Sequence, residues 1–167
     1  AFARDMMRMY LAAPEGVSSP WFNPQVSDLL TKHYGVPEDR FAEEKRQSNA
    51  FVLARMDRIR ELAQGAADPV YAGLQLAILG NYLDFSALQG QVSFEKLEQM
   101  LTKALSWDID RDIYADLCAQ LEKGGKLLYL TDNAGEIGFD RIFAEEIARK
   151  YPKVDITFCV RGHITIN

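Results

Sequence analysis

Apolar side chains recur at spacings of three and four along most of the first 123 residues, the rhythm of helices that each bury one face. The opening stretch AFARDMMRMYLAA is amphipathic from its first residues. Asn23 followed by Pro24 reads as a cap and first-turn pair, which predicts a helix to about Tyr34, stopped by Gly35. A second helix is predicted to open near Pro37. It carries Phe51, Val52, Met56, Ile59 and Leu62 on one face before Gly65 ends it. Asp68 and Pro69 repeat the cap-plus-proline signal, and Ser93 caps a segment striped by Phe94, Leu97, Met100, Leu101 and Leu105. A last helix around Ile113 to Leu121 ends at Gly124 and Gly125.

One helix departs from the pattern. PVYAGLQLAILG is apolar on nearly every side, which places it at the centre of the helical layer, yet it runs into GNYLDF. Asn81 and Asp84 share a face if the helix continues, and buried amides and carboxylates need something to satisfy them, so the pair could point into a cleft. The alternative is a helix stop at Gly80 and Asn81, with Asp84 capping the next segment.

After the double glycine the period changes. KLLYLT is a continuous run of strand formers, as expected of a strand covered on both faces. Ile137 to Lys150 reads as a helix with Ile142, Phe143 and Ile147 inward, and VDITFCV alternates Val154, Ile156, Phe158 and Val160 on one side. Strand, helix and strand within about 35 residues predict a right-handed βαβ unit with parallel strands. The expected class is α/β, with a helical domain over residues 1–123 and the start of a Rossmann-like α/β domain over 124–167. Ligands in such sheets bind beyond the carboxyl ends of the strands, where Asp132 and Asn133 stand.

Composition narrows the function. A net charge of −5 is wrong for a general nucleic-acid binder, which needs excess Lys and Arg to displace counterions. The longest apolar stretch, Val70 to Leu79, is too short to span a bilayer, and no signal peptide opens the chain, so the expected location is the cytoplasm. Cys118 and Cys159 lie far apart and read as buried free thiols; His33 and His163 read as surface or helix-end residues, His163 being the nearer to a strand end. Ala1 is not an initiator methionine and the chain stops within VRGHITIN, so it is expected to be part of a longer protein.

The turn TDNAGEIG carries the candidate chemistry. Asp132 offers a carboxylate oxygen and Asn133 an amide oxygen, both suited to Mg²⁺ or a similar ion, while Gly135 admits close backbone approach and the next helix presents N–H groups to a phosphate. An ordinary strand-to-helix turn, with Asp132 or Asn133 merely capping, fits the same residues. There is no glycine cluster of the dinucleotide-binding type and no P-loop Lys-Ser or Lys-Thr, and Ala134 stands where an aspartyl-nucleophile phosphatase has its second Asp.

The combination TDNAGEIGFDRIFAEEI, the later VRGHITIN, and the helical EEKRQSNAF and GNYLDF resembles the damage-control phosphatase family, long known as domain of unknown function 89, over about Pro37 to Asn167. It is most similar to the microbial branch. The resemblance implies a metal-dependent phosphatase whose active site lies between a helical domain and a Rossmann-like domain. It implies Asp132 and Asn133 as the first two metal ligands, with Glu136 bordering the ion as a catalytic residue, although a carboxylate at that place equally fits a plain cap on the helix N-terminus. The third ligand is an aspartate after an asparagine; that asparagine is Asn167, so the next position would carry it. Asn81 and Asp84 match the family's GNxxD element, and Lys45, Asn49, Arg161 and Asn167 complete the expected substrate contacts. Lys45 and Asn49 equally fit a solvated helix face, and Arg161, whose planar fork suits phosphate, equally fits a surface salt bridge. The branch's Cys-x-x-Cys element and its substrate loop with lysine and glycine would lie outside the present ends.

The expected reaction is hydrolysis of a small phosphorylated metabolite, such as a sugar phosphate, a phosphopantetheine-like compound or a nucleotide. Mg²⁺, Mn²⁺, Co²⁺ or Ni²⁺ would assist, with water or a carboxylate as nucleophile. Two other classes compete: an S-adenosylmethionine-dependent methyltransferase, which shares the sheet, and a non-enzymatic helical interaction module.

Overall fold

The computed structural model describes residues 1–82 and 94–162, and among these it forms eight α-helices and two strands. Ser93, Asp84, His163 and Asn167 lie outside the described residues. Two compact units are built on Ala1–Glu43 and Glu44–Val160. The expected division at 123/124 is not the one by which residues cluster, because helices from both sides of that point share the same cores.

In the first unit α1 (Phe2–Leu11) is followed by a 3₁₀ turn (Ser19–Phe22) and α2 (Asn23–Tyr34). Neither α-helix has a fully buried residue. Phe2 makes edge contacts with His33 and Tyr34, and Asp5 lies 2.9 Å from His33 Nε2, so His33 is a helix-end residue as its position predicted. Asn23 turns out to be the first helical residue, after Phe22, with no side-chain cap. Gly35 ends α2 at φ +66°, the left-handed conformation that glycine adopts without a Cβ penalty.

The single helix expected from Pro37 is two, α3 (Ala42–Leu53) and α4 (Met56–Gln64). The break has a local cause. Arg55 leaves helical geometry at φ −122°, and its guanidinium lies 3.7 Å from the centre of the Phe51 ring while donating to the Phe51 carbonyl at 2.7 Å. The apolar face survives the break, with Val52, Met56 and Ile59 all buried.

Asp68 accepts a hydrogen bond from the Tyr71 amide at the start of α5 (Pro69–Tyr82), in which nine of 14 residues are buried, confirming its central place. Gly80 does not stop it. A Cβ there would lie 2.9 Å from Phe139 Cβ, and one on Gly73 would lie 3.1 Å from Phe143 Cα. These glycines let α5 approach α8 (Glu136–Lys150) closely. Buried Gln75 is satisfied through the Trp107 and Leu105 carbonyls. The helices α6 (Phe94–Ala104), with Leu97 and Leu101 sealed, and α7 (Arg111–Glu122), capped by Asp110, complete the layer.

The strands β1 (Gly125–Leu130) and β2 (Val154–Cys159) pair in parallel, Gly125 opposite Val154 and Leu130 opposite Cys159, with α8 between them in sequence. The fold is α/β, mostly helical with a small parallel sheet. Leu127, Tyr129, Val154 and Ile156 pack against the cluster that holds Phe143 and Ile147. Leu128 and Leu130, by contrast, are 61% and 69% exposed, so among the described residues β1 is covered on one face only, not on both. Cys159 is likewise exposed and Cys118 half-buried, where buried thiols were expected; the alternation of β2 puts Cys159 on the open side. No helix among the described residues is long and apolar enough to cross a membrane.

The tightest approach is at Gly138, where a Cβ would lie 2.5 Å from Val52 Cγ1. Gly138→Ala is expected to cost about 1–3 kcal/mol in denaturant unfolding through overpacking. Adding Val52→Ala should make the double variant less destabilised than the sum of the single ones.

Candidate functional site

Beyond Leu130 the strand pairing continues for one residue, with the Thr131 amide donating to the Cys159 carbonyl at 3.0 Å. The chain then turns through Asp132, Asn133, Ala134 and Gly135 into α8, at the carboxyl edge of both strands. Gly135 sits at φ +86°, a region that disfavours any side chain.

Glu136, 7% exposed, reaches back to the turn: its Oε2 accepts from the Asn133 side-chain Nδ2 at 2.7 Å and from the Asn133 backbone amide at 3.1 Å. This is one half of a capping box, the acid reaching back to the amide three residues before it, and the Asn133 carbonyl takes the Ile137 amide at 3.4 Å. Asn133 Nδ2 also lies 3.3 Å from Asn81 Oδ1 on α5 and 3.3 Å from Asp132 Oδ2. With its nitrogen among three oxygens, the amide's orientation is set, and Oδ1 takes no part in these bonds. From α3, Asn49 Oδ1 accepts the Gly135 amide at 2.8 Å.

The structure therefore brings together Asn49, Asn81, Asp132, Asn133 and Glu136. Asn49 is a clamp on the turn and not a solvated residue. Lys45 is half-buried one helical turn before Asn49, and Arg161 is exposed two residues beyond β2; the bonds that define the constellation do not include them. Asp84 and Asn167 fall outside the described residues. The expectation that α8 presents a set of open N–H groups needs correction, since those of Asn133, Gly135, Ile137 and Gly138 already have acceptors. The amides of Ala134 and Glu136 have no acceptor among the described bonds.

Two residues not singled out from the sequence stand behind the turn. Asp140 is 3% exposed, and its Oδ1 accepts a 2.8 Å hydrogen bond from the Tyr129 hydroxyl of β1. Burial pushes the Asp140 carboxyl up to about 6; the bond from Tyr129 opposes this, and the charges of Glu136 and Asp132 reinforce it. Burial also raises the Tyr129 hydroxyl. The signal was present in the spacing: residues 136, 140, 143 and 147 form one helical stripe, shared with inward Phe143 and Ile147.

In chemistry the donors fit a hard divalent ion, with a carboxylate on Asp132 and an amide oxygen on Asn133. Among the described residues no three His, Cys, Asp or Glu side chains are grouped to hold one, so further oxygen donors are required. A cavity of about 370 Å³ adjoins the turn, with Asn49 and Gly135 in its walls beside Val52, Leu53, Met56 and Phe158.

Comparison with known proteins identifies the family. Residues 13–167 match the damage-control phosphatase ARMT1-like domain. The chain belongs to this family. An uncharacterized protein of Methanocaldococcus jannaschii is 36% identical over 92% of the chain and 50% of its own length. A damage-control phosphatase of Archaeoglobus fulgidus is 31% identical over 78% of the chain and 44% of its own length. The crystal structure of a DUF89 family protein from Pyrococcus horikoshii superposes with a TM-score of 0.69 at 29% identity, over 86% of this chain and 48% of that one. This ARMT1-like chain thus spans about half the length of the curated relatives it matches.

The raised Asp140 carboxyl fixes the sign of a pH effect. The folded state binds this proton more tightly than the unfolded chain, so its stabilisation is full below about pH 4 and is lost as pH rises through about 6. In metal-free protein, Asp140→Asn should remove that decline, narrowing the difference in unfolding free energy between pH 4 and pH 7 by about 2–3 kcal/mol in parallel denaturant titrations.

Proposed function

We propose that the protein is a metal-dependent phosphatase acting on small phosphorylated metabolites in damage control, in the cytoplasm. Membership of the ARMT1-like family supports the reaction class. The observation that carries the reading is the Asn133 amide. Glu136, Asp132 and Asn81 all accept from its nitrogen, which leaves its oxygen out of these bonds, on the residue that follows Asp132 at the carboxyl edge of the sheet. A turn that only capped α8 would need Glu136 and Asn49, but not an exposed carboxylate next to an oriented amide.

In this reading Asp132 and Asn133 would hold the ion together with further oxygen donors. The ion, Mg²⁺, Mn²⁺, Co²⁺ or Ni²⁺, would polarise a phosphoryl oxygen and lower the pKa of a water. The chain's own groups do the positioning. Glu136 keeps Asn133 from rotating, Asn49 fixes Gly135, and the amides of Ala134 and Glu136 are the backbone donors open to a phosphate oxygen. Asn81 buttresses the amide from α5, while Asp84, Lys45 and Arg161 are proposed substrate contacts. Sugar phosphates, phosphopantetheine-like compounds and nucleotides are the proposed substrate classes.

Phosphate release from a panel of such esters, by the full-length protein after chelation and metal add-back, tests the reading. Turnover should return with the metal and vanish in Asp132→Ala, whose unfolding free energy should stay within about 0.5 kcal/mol of wild type, as for other exposed sites. Release that survives chelation would overturn metal dependence, and a large loss of stability in the variant would favour a purely structural turn.

A further inference from the structure

We propose that Asp140, gripped by Tyr129, is a positioning residue for the cation site: standing one helical turn behind Glu136, it strengthens the hold of Asp132 and Asn133 on a divalent ion without touching that ion. The proposal rests on the metal-dependent reading given above.

Three carboxylates among the described residues are buried: Glu136, Asp140 and Glu146. Glu146 is paired with Arg149. Neither Glu136 nor Asp140 has a cationic side chain as partner among the described residues, and both lie on the first two turns of α8 behind the Asp132–Asn133 turn. A buried carboxylate without a countercharge costs free energy that a mere fastener would avoid.

The same chain contains an internal comparison. Tyr114 donates to Asp68 at 2.8 Å, much as Tyr129 donates to Asp140, and Lys150 stands 3.5 Å from Asp68. Burial opposes ionisation there too, yet the bonds from Tyr114 and Tyr71 and the charge of Lys150 hold Asp68 below the usual carboxylate range. Asp140 instead faces Glu136 and Asp132, which add to its difficulty in ionising. A divalent ion at Asp132 and Asn133 supplies a countercharge for both buried carboxylates. Asp140 in return deepens the negative potential at the ion and keeps Glu136 ordered against Asn133. Tyr129, three residues before Asp132 on β1, ties this charge to the strand that carries the ligand.

The test uses the full-length protein stripped of metal, with Mn²⁺ alone as probe and free Mn²⁺ read by electron paramagnetic resonance, beside the melting temperature of the metal-free protein. Asp140→Asn, which keeps the volume and a bond to Tyr129, should weaken Mn²⁺ binding roughly tenfold, in the range for groups that support metal ligands. Its metal-free melting temperature should be unchanged or higher. A fastener would do the reverse, lowering the melting temperature with Mn²⁺ affinity intact, and that result overturns the proposal while leaving the phosphatase reading standing. If Asp140→Asn does not fold, Tyr129→Phe decides: a several-fold loss of Mn²⁺ affinity supports the role and wild-type affinity overturns it. Wild-type protein that binds no Mn²⁺ removes the metal reading and this proposal together.

Discussion

The close approach of α5 to α8 organises the larger unit. Gly80 lies against Phe139 and Gly73 against Phe143, so the two helices run in opposite senses with their backbones nearer than side chains on both would permit. Each helix feeds both cores. Leu76, Leu79, Phe139 and Ile142 enter one, and Val70, Tyr71, Phe143 and Ile147 the other. The antiparallel register also brings the last turn of α5 to the first turn of α8, which is how Asn81 comes to lie 3.3 Å from Asn133. Helix packing and site assembly are thus one event, and a shift of either helix would separate the two amides.

Around that contact the polar groups are arranged against their own electrostatic preference. Asp132, Glu136 and Asp140 gather at the end of β1 and the start of α8, and burial first, with the neighbouring charges adding to it, raises the Asp140 carboxyl. Hydrogen bonds from Asn133 and Tyr129 offset part of the burial cost. Elsewhere in the same unit acids are matched with bases in the ordinary way, Glu145 with Arg60 and Arg141 and Glu146 with Arg149. Glu136 and Asp140 bring to the back of the turn buried acidity that no cationic side chain among the described residues offsets.

Much of the local structure was legible in the sequence because it depends on short-range rules. The helices that carry Pro24, Pro69 and Ile113, the strand after the double glycine, and the parallel pairing of β1 and β2 follow from prolines, breakers and periodicity. Errors came where a side chain acted on the backbone or where depth mattered. Arg55 split one expected helix by bonding the Phe51 carbonyl, and of the two readings open at Gly80 the helix runs on to Tyr82 with Gly80 as a packing contact within it. Leu128 and Leu130 looked like core and lie exposed, since an apolar run states a preference for burial without saying what covers it.

The sequence by itself determined the chemistry on offer: Asp132 and Asn133 at a strand end, a glycine that permits the turn, an acid at the head of the next helix, and through them the family. These are neighbours along the chain, and their spacing is enough to read them. Only the tertiary structure decided which distant residues serve that turn. Asn49 and Asn81 reach it from α3 and α5, and Asp140 stands behind it through a tyrosine in another element. The partners from α3 and α5 are chosen by how glycine-lined helices pack, a property of surfaces in contact that no local spacing encodes.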